Sequence, residues 1–502
     1  MIERRDFILG GLSAAACAAR GQAAGIGGGD RPRVVTPSGP VIGRRADGLA
    51  VFKGIPFARP PVGPLRFRPP EPPVPWRSPL DAAAFGPIPW QPRIPMVDVP
   101  GTMAEDCLTL NVWAPVAKGP HPVVFSIYGG GNFLGAASQP GYDGAAFAKA
   151  GLLFVSCNYR LGAFGFAEFG TIDPAFAGSS LNGLLDIEAA LRWVQGNIDA
   201  FGGDPERVTL LGLSAGAKNQ ATLAAMPSAR GLFRRVTILS GGGETVDRTA
   251  APGAAAARVL MDAAGVRDMA ALVTLPAEQI VAAQGKAMAA AERGFPFRPV
   301  VDGRLLPMAP IDAARAGRMA GLEMVVGTTR DEAALAYPPA LAATRAFVAS
   351  QLAHLPLERM QALEARYAAT FPALPLAERR IRQLTAEEYW IPALRLAEAH
   401  AASGGRTWMV RFDVPAAAGP FAGMAPHGSD SAFVYGGGAD PLAARTHAMW
   451  ADWARTGRPA LDGGPAWPRY DLRTRETLIL DAAPHIERDP RGDERTLWDG
   501  LL

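Results

Sequence analysis

The stretch Arg207–Ala225, RVTLLGLSAGAKNQATLAA, decides the fold. Val208–Leu211 is a short β-forming run that stops at Gly212, and Ser214 and Gly216 follow. From Ala215 to Ala225 the apolar spacing is that of a helix. A strand that becomes a helix within two or three residues strains the residue at the corner. Glycine two before and two after it removes the Cβ atoms that would strike the neighbouring strand or helix. Such a corner holds the Ser214 hydroxyl at the end of a strand, under the positive end of a helix. A serine that merely caps the helix explains Ser214 but neither glycine. The Gly-x-Ser-x-Gly spacing arises easily by chance in a chain with 57 glycines, so its weight lies in this context.

Working outward, short apolar runs alternate with helical stretches from about residue 108. Strands are expected at Leu108–Ala114, Pro122–Tyr128, Leu152–Asn158, Val208–Leu211, Val236–Ser240, Met324–Gly327, Trp408–Val414 and Thr477–Leu480. A further short strand is expected at Leu49–Lys53, inside a proline-rich, loop-like region over 31–100. Asn182–Ile198 has helical spacing as well. Near-continuously apolar strands alternating with helices imply an α/β fold with a mainly parallel central sheet covered on both faces. Alanine-rich helical regions near 250–293 and 340–403 interrupt the alternation and are expected as lid insertions in a single unit spanning 30–502. The lid and the early loop around Trp90 are expected to line the entrance to the site.

The 502 residues carry a net charge of +3 with no basic block, which argues against a nucleic-acid partner. At the start, Arg4 and Arg5 precede Phe7-Ile8-Leu9, a short apolar run and small residues up to Ala24. Residues 1–29 therefore read as an export signal of the twin-arginine kind, removed on export, with a periplasmic or secreted destination. No apolar stretch is long enough for a membrane span. Of three cysteines, Cys107 and Cys157 remain after the signal. With no Cys-x-x-Cys and no His-x-x-x-His, zinc and redox motifs have no support, and no metal or cofactor is expected.

A serine hydroxyl needs a base and a group that orients the base. On an α/β sheet the expected chain order is serine, acid, histidine, with the histidine on a loop after a late strand. Of six histidines, His121 precedes the serine, His354 and His400 sit in helical stretches, and His447 lies in the amphipathic RTHAMWADWART. His427, in the loop FAGMAPHGSDSAF, fits best, with His485 in reserve. MVVGTTRDEAALAY offers Asp331 and Glu332 as acids, and spacing does not choose between them. Acyl transfer also needs donors for a developing oxyanion. Triple glycine occurs at 27–29, 129–131, 241–243 and 436–438, but only PVVFSIYGGGNFLG follows an early strand ahead of the serine. The N–H groups of Gly130, Gly131 and Ala215 are the expected donors. No Walker A spacing competes.

These residues resemble the type-B carboxylesterases, the cholinesterase-like branch of the α/β-hydrolases. FKGIPFARPPVGPLRFRPP, EDCLTLNVWAP, NYRLGAFGF, LRWVQGNIDAFGGDPERVTLLGLSAG, GLFRRVTILSGG, FRPVVDGRLLP, GTTRDEAAL and WADWARTGRPA all look like family blocks in family order. The resemblance implies a serine esterase working on small ester substrates through an acyl-enzyme. It implies Ser214 as nucleophile, His427 as base and Glu332, not Asp331, as acid, with Gly130, Gly131 and Ala215 as the oxyanion hole. There are departures: Leu213 stands where the family usually has glutamate, Asp430 where glutamate is common, Asn132 for an aromatic and Ala333 for a glycine. Cys107 lacks the partner of the family's early loop bridge, since no cysteine lies between Phe85 and Asp106. Two other readings are a cholinesterase-like binding domain without catalysis, and the same chemistry on amides, lactones or carbamates.

Overall fold

Ser214 stands at the end of a strand flanked on both sides by parallel neighbours. The structure is a computed structural model that describes residues 31–94, 97–291, 294–339, 342, 355–438 and 440–501. The signal reading, residues 1–29, lies outside the described residues, as do His354 and part of the second helical region. In chain order the strands are β1 (Arg33–Thr36), β2 (Gly39–Ile42), β3 (Arg44–Ala46), β4 (Leu49–Pro56), β5 (Leu80–Asp81), β6 (Thr109–Pro115), β7 (His121–Ile127), β8 (Leu153–Cys157), β9 (Gly203–Leu213), β10 (Arg235–Leu239), β11 (Glu323–Thr329), β12 (Arg406–Phe412), β13 (Glu476–Leu480) and β14 (His485–Arg488).

Among the described residues, eleven strands form one sheet in the order β14-β13-β12-β11-β10-β9-β7-β8-β6-β4-β3. From β8 to β13 all neighbours run parallel. The pairs at the edges, β3–β4, β4–β6, β6–β8 and β13–β14, are antiparallel. β1, β2 and β5 make a separate small sheet.

The apolar strands are buried on both sides, and alternate residues feed two cores. Leu210, Ile238 and Val326 pack with Leu184, Ile187 and Leu191 of the helix Asn182–Asn197. Their neighbours Leu211, Leu239 and Val325 pack on the other face with Trp450 and Trp453 of the helix Pro441–Thr456. This period of two is the physical content of a sheet covered by helices on both faces. Helices also occupy Ala250–Ala264, Met269–Thr274, Ala277–Ala290, Leu357–Thr370, Leu376–Thr385 and Ile391–Ala402.

The chain leaves β7 for β8 on one side and returns to place β9 on the other. The carboxyl ends of β7 and β9 therefore border the point where the strand order reverses, the usual place for a ligand crevice in an open α/β sheet. Cys107 and Cys157 are free and buried, so the core is held without a bridge between them. One ionic clamp supports the loop after β8. Arg160 donates through Nε and Nη2 to the two oxygens of Asp186, at 2.8 and 2.7 Å, and both side chains are almost wholly buried.

Removing one partner of such a pair leaves an uncompensated buried charge. Arg160→Met is expected to cost about 3–5 kcal/mol of stability, seen as a lower denaturant midpoint in urea unfolding. A midpoint equal to that of the parent would show that the clamp carries no folding weight.

Candidate active site

Ser214 has φ 58° and ψ −128°, outside the regions comfortable for a residue with a Cβ. Its N–H donates to the Leu239 carbonyl at 2.9 Å, and its own carbonyl accepts from the Lys218 N–H at 3.0 Å. The glycines on either side are required by close approach. A Cβ on Gly216 would lie 2.0 Å from the Ile127 carbonyl oxygen, and one on Gly212 would lie 2.7 Å from the same atom. Although Ser214 precedes the helix Ala215–Ala225, its side chain makes no capping hydrogen bond. The hydroxyl is not spent on the helix.

Ile127 ends β7, and the chain runs directly into Gly129–Gly131. Gly130 and Gly131 have φ 119° and 63°, and the Gly130 carbonyl accepts from the N–H groups of Phe133 and Leu134, each at 3.1 Å. The Gly129 N–H donates to the Tyr142 hydroxyl at 3.0 Å. Asn132 ties this loop to the serine's helix: its side-chain amide donates to Asn219 Oδ1 at 3.1 Å and accepts from Asn219 Nδ2 at 2.8 Å. The residue that departs from the family's aromatic is thus a buried polar link between the glycine loop and the Ala215–Ala225 helix.

Beyond β11, Glu332 opens a short 3₁₀ turn. Its Oε1 accepts from the Thr329 N–H at 2.8 Å, and its Oε2 lies 2.5 Å from His427 Nδ1. The side chain of Glu332 is wholly buried. Asp331 does different work. It accepts the Ala425 N–H at 3.0 Å and pairs with Arg330 at 2.8 Å, while its own N–H donates to the Ala425 carbonyl at 3.0 Å. Of the two carboxylates that spacing left open, Glu332 contacts the imidazole, and Asp331 stitches the two loops together. Burial opposes charging of the His427 ring, but the Glu332 carboxylate, by its charge and its hydrogen bond, outweighs burial and raises the pKa above the ordinary histidine value. Asp430, buried near both, has its pKa raised to about 7 by desolvation and then by the charge of Glu332.

Other histidines are engaged elsewhere. His121 bonds the carbonyls of Gly151 and Ala117, His400 bonds Thr407 and the Met319 carbonyl, and His447 bonds the Val434 carbonyl. His485 is half-exposed beside Asp481.

Gly130, Gly131, Ser214, Ala215, Glu332 and His427 line one cavity of about 210 Å³. All six residues singled out in the sequence thus meet at one place. Phe133, Leu134, Phe295 and Phe297 supply an apolar wall, with the Phe133 and Phe295 rings 5.2 Å apart. Trp90 is not part of it. Trp90 faces a separate small pocket with Cys107 and Arg160, while the next residue, Gln91, is hydrogen-bonded to both the carbonyl and the N–H of Gly135. Sequence reasoning missed Lys218 and Tyr389, which line the cavity. Their signal was available: Lys218 falls one helical turn after Ser214, but Tyr389 comes from a distant helix that periodicity cannot aim.

Comparison with known proteins agrees with this architecture. The carboxylesterase family matches residues 30–498. The chain is 36% identical over 487 residues to a para-nitrobenzyl esterase of Bacillus subtilis (strain 168), covering 92% of this chain and 97% of the relative. It is 32% identical to a phenmedipham hydrolase of Pseudarthrobacter oxydans, covering 91% and 97%. A solved carboxylesterase of Geobacillus stearothermophilus superposes with a TM-score of 0.83 at 36% identity, over 93% of this chain and 99% of that one. The chain belongs to the carboxylesterase family and is a carboxylic ester hydrolase.

Proposed function

We propose that this hydrolase cleaves small esters through an acyl-enzyme on Ser214, with His427 as base, Glu332 as its orienting acid, and the N–H groups of Gly130, Gly131 and Ala215 as the oxyanion hole. The observation that carries this reading is the 2.5 Å contact between Glu332 and His427 Nδ1 on the wall of the cavity that Ser214 and the three donors share. With Nδ1 turned to the carboxylate, Nε2 is the nitrogen left to serve the hydroxyl. Nε2 takes the proton of Ser214 as the oxygen attacks the ester carbonyl, and the carbonyl oxygen, now negative, is held by the three N–H donors. The imidazolium, stabilised by Glu332, gives its proton to the departing alcohol oxygen as the C–O bond breaks. Water then repeats the sequence on the acyl-serine and releases the acid. The apolar wall of Phe133, Phe295 and Phe297 supports substrates with an apolar acyl or alcohol group. Para-nitrobenzyl esters, for which the Bacillus subtilis relative is named, are a reasonable first assay substrate. Residues 1–29 are proposed as a twin-arginine export signal, on the strength of Arg4-Arg5 and the apolar run that follows.

Ser214→Ala is expected to keep the fold and lower turnover by several orders of magnitude, on the order of 10⁶-fold at most. It should also abolish labelling by a fluorophosphonate probe. Parent-like hydrolysis by this variant would remove Ser214 from the mechanism.

The pH profile provides an independent check. A protonated imidazole cannot accept the serine proton, so kcat/KM falls as pH drops through the His427 pKa. Since Glu332 raises that pKa, the acid limb is expected above about 6.5. Glu332→Gln removes the charge, moves the limb to lower pH and lowers the plateau by about 10⁴-fold. A limb that stays in place in this variant would contradict the assigned pairing.

For the export signal, Arg4→Lys combined with Arg5→Lys is expected to leave the precursor in the cytoplasm, scored by cell fractionation. Unchanged export would discard the twin-arginine reading.

A further inference from the structure

Lys218 has no part in the relay described above, yet it is built into the same cavity. It lies one helical turn beyond Ser214, its side chain is only 9% exposed, and it lines the cavity with Ser214 and His427. A buried ammonium requires a partner, and three features supply its setting. Glu244 holds Nζ at 2.7 Å and is itself fixed by the Gly242 N–H, which donates to its other oxygen at 2.7 Å. Gly241 clears room for the stem, since a Cβ there would lie 2.7 Å from Lys218 Cγ. Tyr389 offers its ring face 5.1 Å from the ammonium.

The same Tyr389 ring packs against the His427 ring, with centroids 4.8 Å apart and planes tilted by 37°. Tyr389 comes from a π-helical turn, Ala386–Trp390, inserted between two α-helices. Such insertions rotate side chains away from the helical register and often occur at functional sites. One aromatic ring thus contacts both a cation and the imidazole.

We propose that Lys218 is a positioning residue that acts through electrostatics to keep His427 in its neutral, proton-accepting form. The inference rests on the reading of His427 as the base. The charged and titratable groups around the imidazole are Glu332, bonded to Nδ1, Asp430 on its own loop, Tyr389 packed on the ring, and Lys218 in the lining of the same cavity. Glu388 and Arg298 also line the cavity, and Glu244 is paired with Lys218. Glu332 and Asp430 favour the imidazolium, whereas Lys218 opposes it. Leu213, where the family usually has a carboxylate, adds no negative charge, so the ammonium is not cancelled from the serine's side. The consequence is activity that persists to lower pH than the two carboxylates alone would allow.

The test is the pH dependence of kcat/KM for a neutral para-nitrophenyl ester, measured on the parent, Lys218→Met, Lys218→Arg and the double variant Lys218→Met/Glu244→Gln. Removing the ammonium is expected to move the acid limb upward, whereas arginine keeps the charge and the parent limb. The double variant removes the orphaned carboxylate that could unfold the single one, and its limb is also expected to move upward. A role in folding alone would lower Tm or scale the rate equally at every pH. If the methionine and double variants are folded and active with the parent limb, the proposal is overturned. Failure of the underlying relay has a different signature, because Ser214→Ala and His427→Ala would then retain activity whatever happens at 218.

Discussion

The register between β7 and β9 is the constraint from which the site follows. Ile127 lies opposite Gly212 in the parallel ladder, and its carbonyl oxygen comes too close for a Cβ on either Gly212 or Gly216. A parallel pair ends with both strands pointing the same way, so the loop after Ile127 and the turn after Leu213 emerge side by side. Gly130 and Gly131 on the first, and Ser214 and Ala215 on the second, are therefore brought together by backbone pairing alone. A slip of one residue would reverse which side chains face each core and separate the glycine loop from the serine. The Asn132–Asn219 amide pair pins the same relation from the helix side. A position where the chain departs from its family thus reinforces the family's geometry.

The contact between Glu332 and His427 depends on a second piece of local stitching. Two stretches almost a hundred residues apart, at Asp331–Glu332 and Ala425–His427, exchange backbone hydrogen bonds: Asp331 with Ala425, and His427 N–H with the Glu332 carbonyl at 3.3 Å. Asp331 adds its carboxylate to the Ala425 N–H. Asp331 therefore orders the loop that carries His427, which gives the two adjacent carboxylates at the end of β11 different work.

This division also marks where sequence reading stops. The corner at Ser214 was legible because the glycines report a backbone requirement, and backbone requirements are local. Eight of the nine strands from 108 onward, all but the short edge strand β14, and the two helices around the serine, were legible because burial on both faces or on one face leaves a periodic trace. Asp331 and Glu332 were not separable, since which of them reaches the ring depends on the 3₁₀ turn that starts at Glu332. β1, β2, β3 and β5 were hidden in a proline-rich stretch because each is at most four residues long, too short for alternation to register. Which side chains of the early loop around Trp90 face inward was not legible, because an aromatic in a loop carries no directional information. Tyr389 was invisible for a related reason: the π turn that aims it has no period of its own.

The electrostatic setting of the site can be followed one step further through Leu213. This side chain is buried in the apolar core formed with Ala425, Val434 and Tyr435, residues that bracket the loop and short helix on which Asp430 stands. Asp430 is buried, one of its oxygens meets no hydrogen-bond partner among the described residues, and its pKa is raised to about 7. A second carboxylate at position 213 would bring another negative charge into the surroundings that already disfavour ionisation of this one, and two such groups rarely ionise together. Leucine removes that competition and fills the space with apolar contact. It also leaves the imidazole with fewer anions around it, so the balance at His427 is drawn by Glu332 and Asp430 on one side and Lys218 on the other. The absence of a carboxylate at Leu213 and the ammonium of Lys218 one turn after the serine act in the same direction. The two residues that flank the serine therefore bear on one electrostatic balance, that at His427.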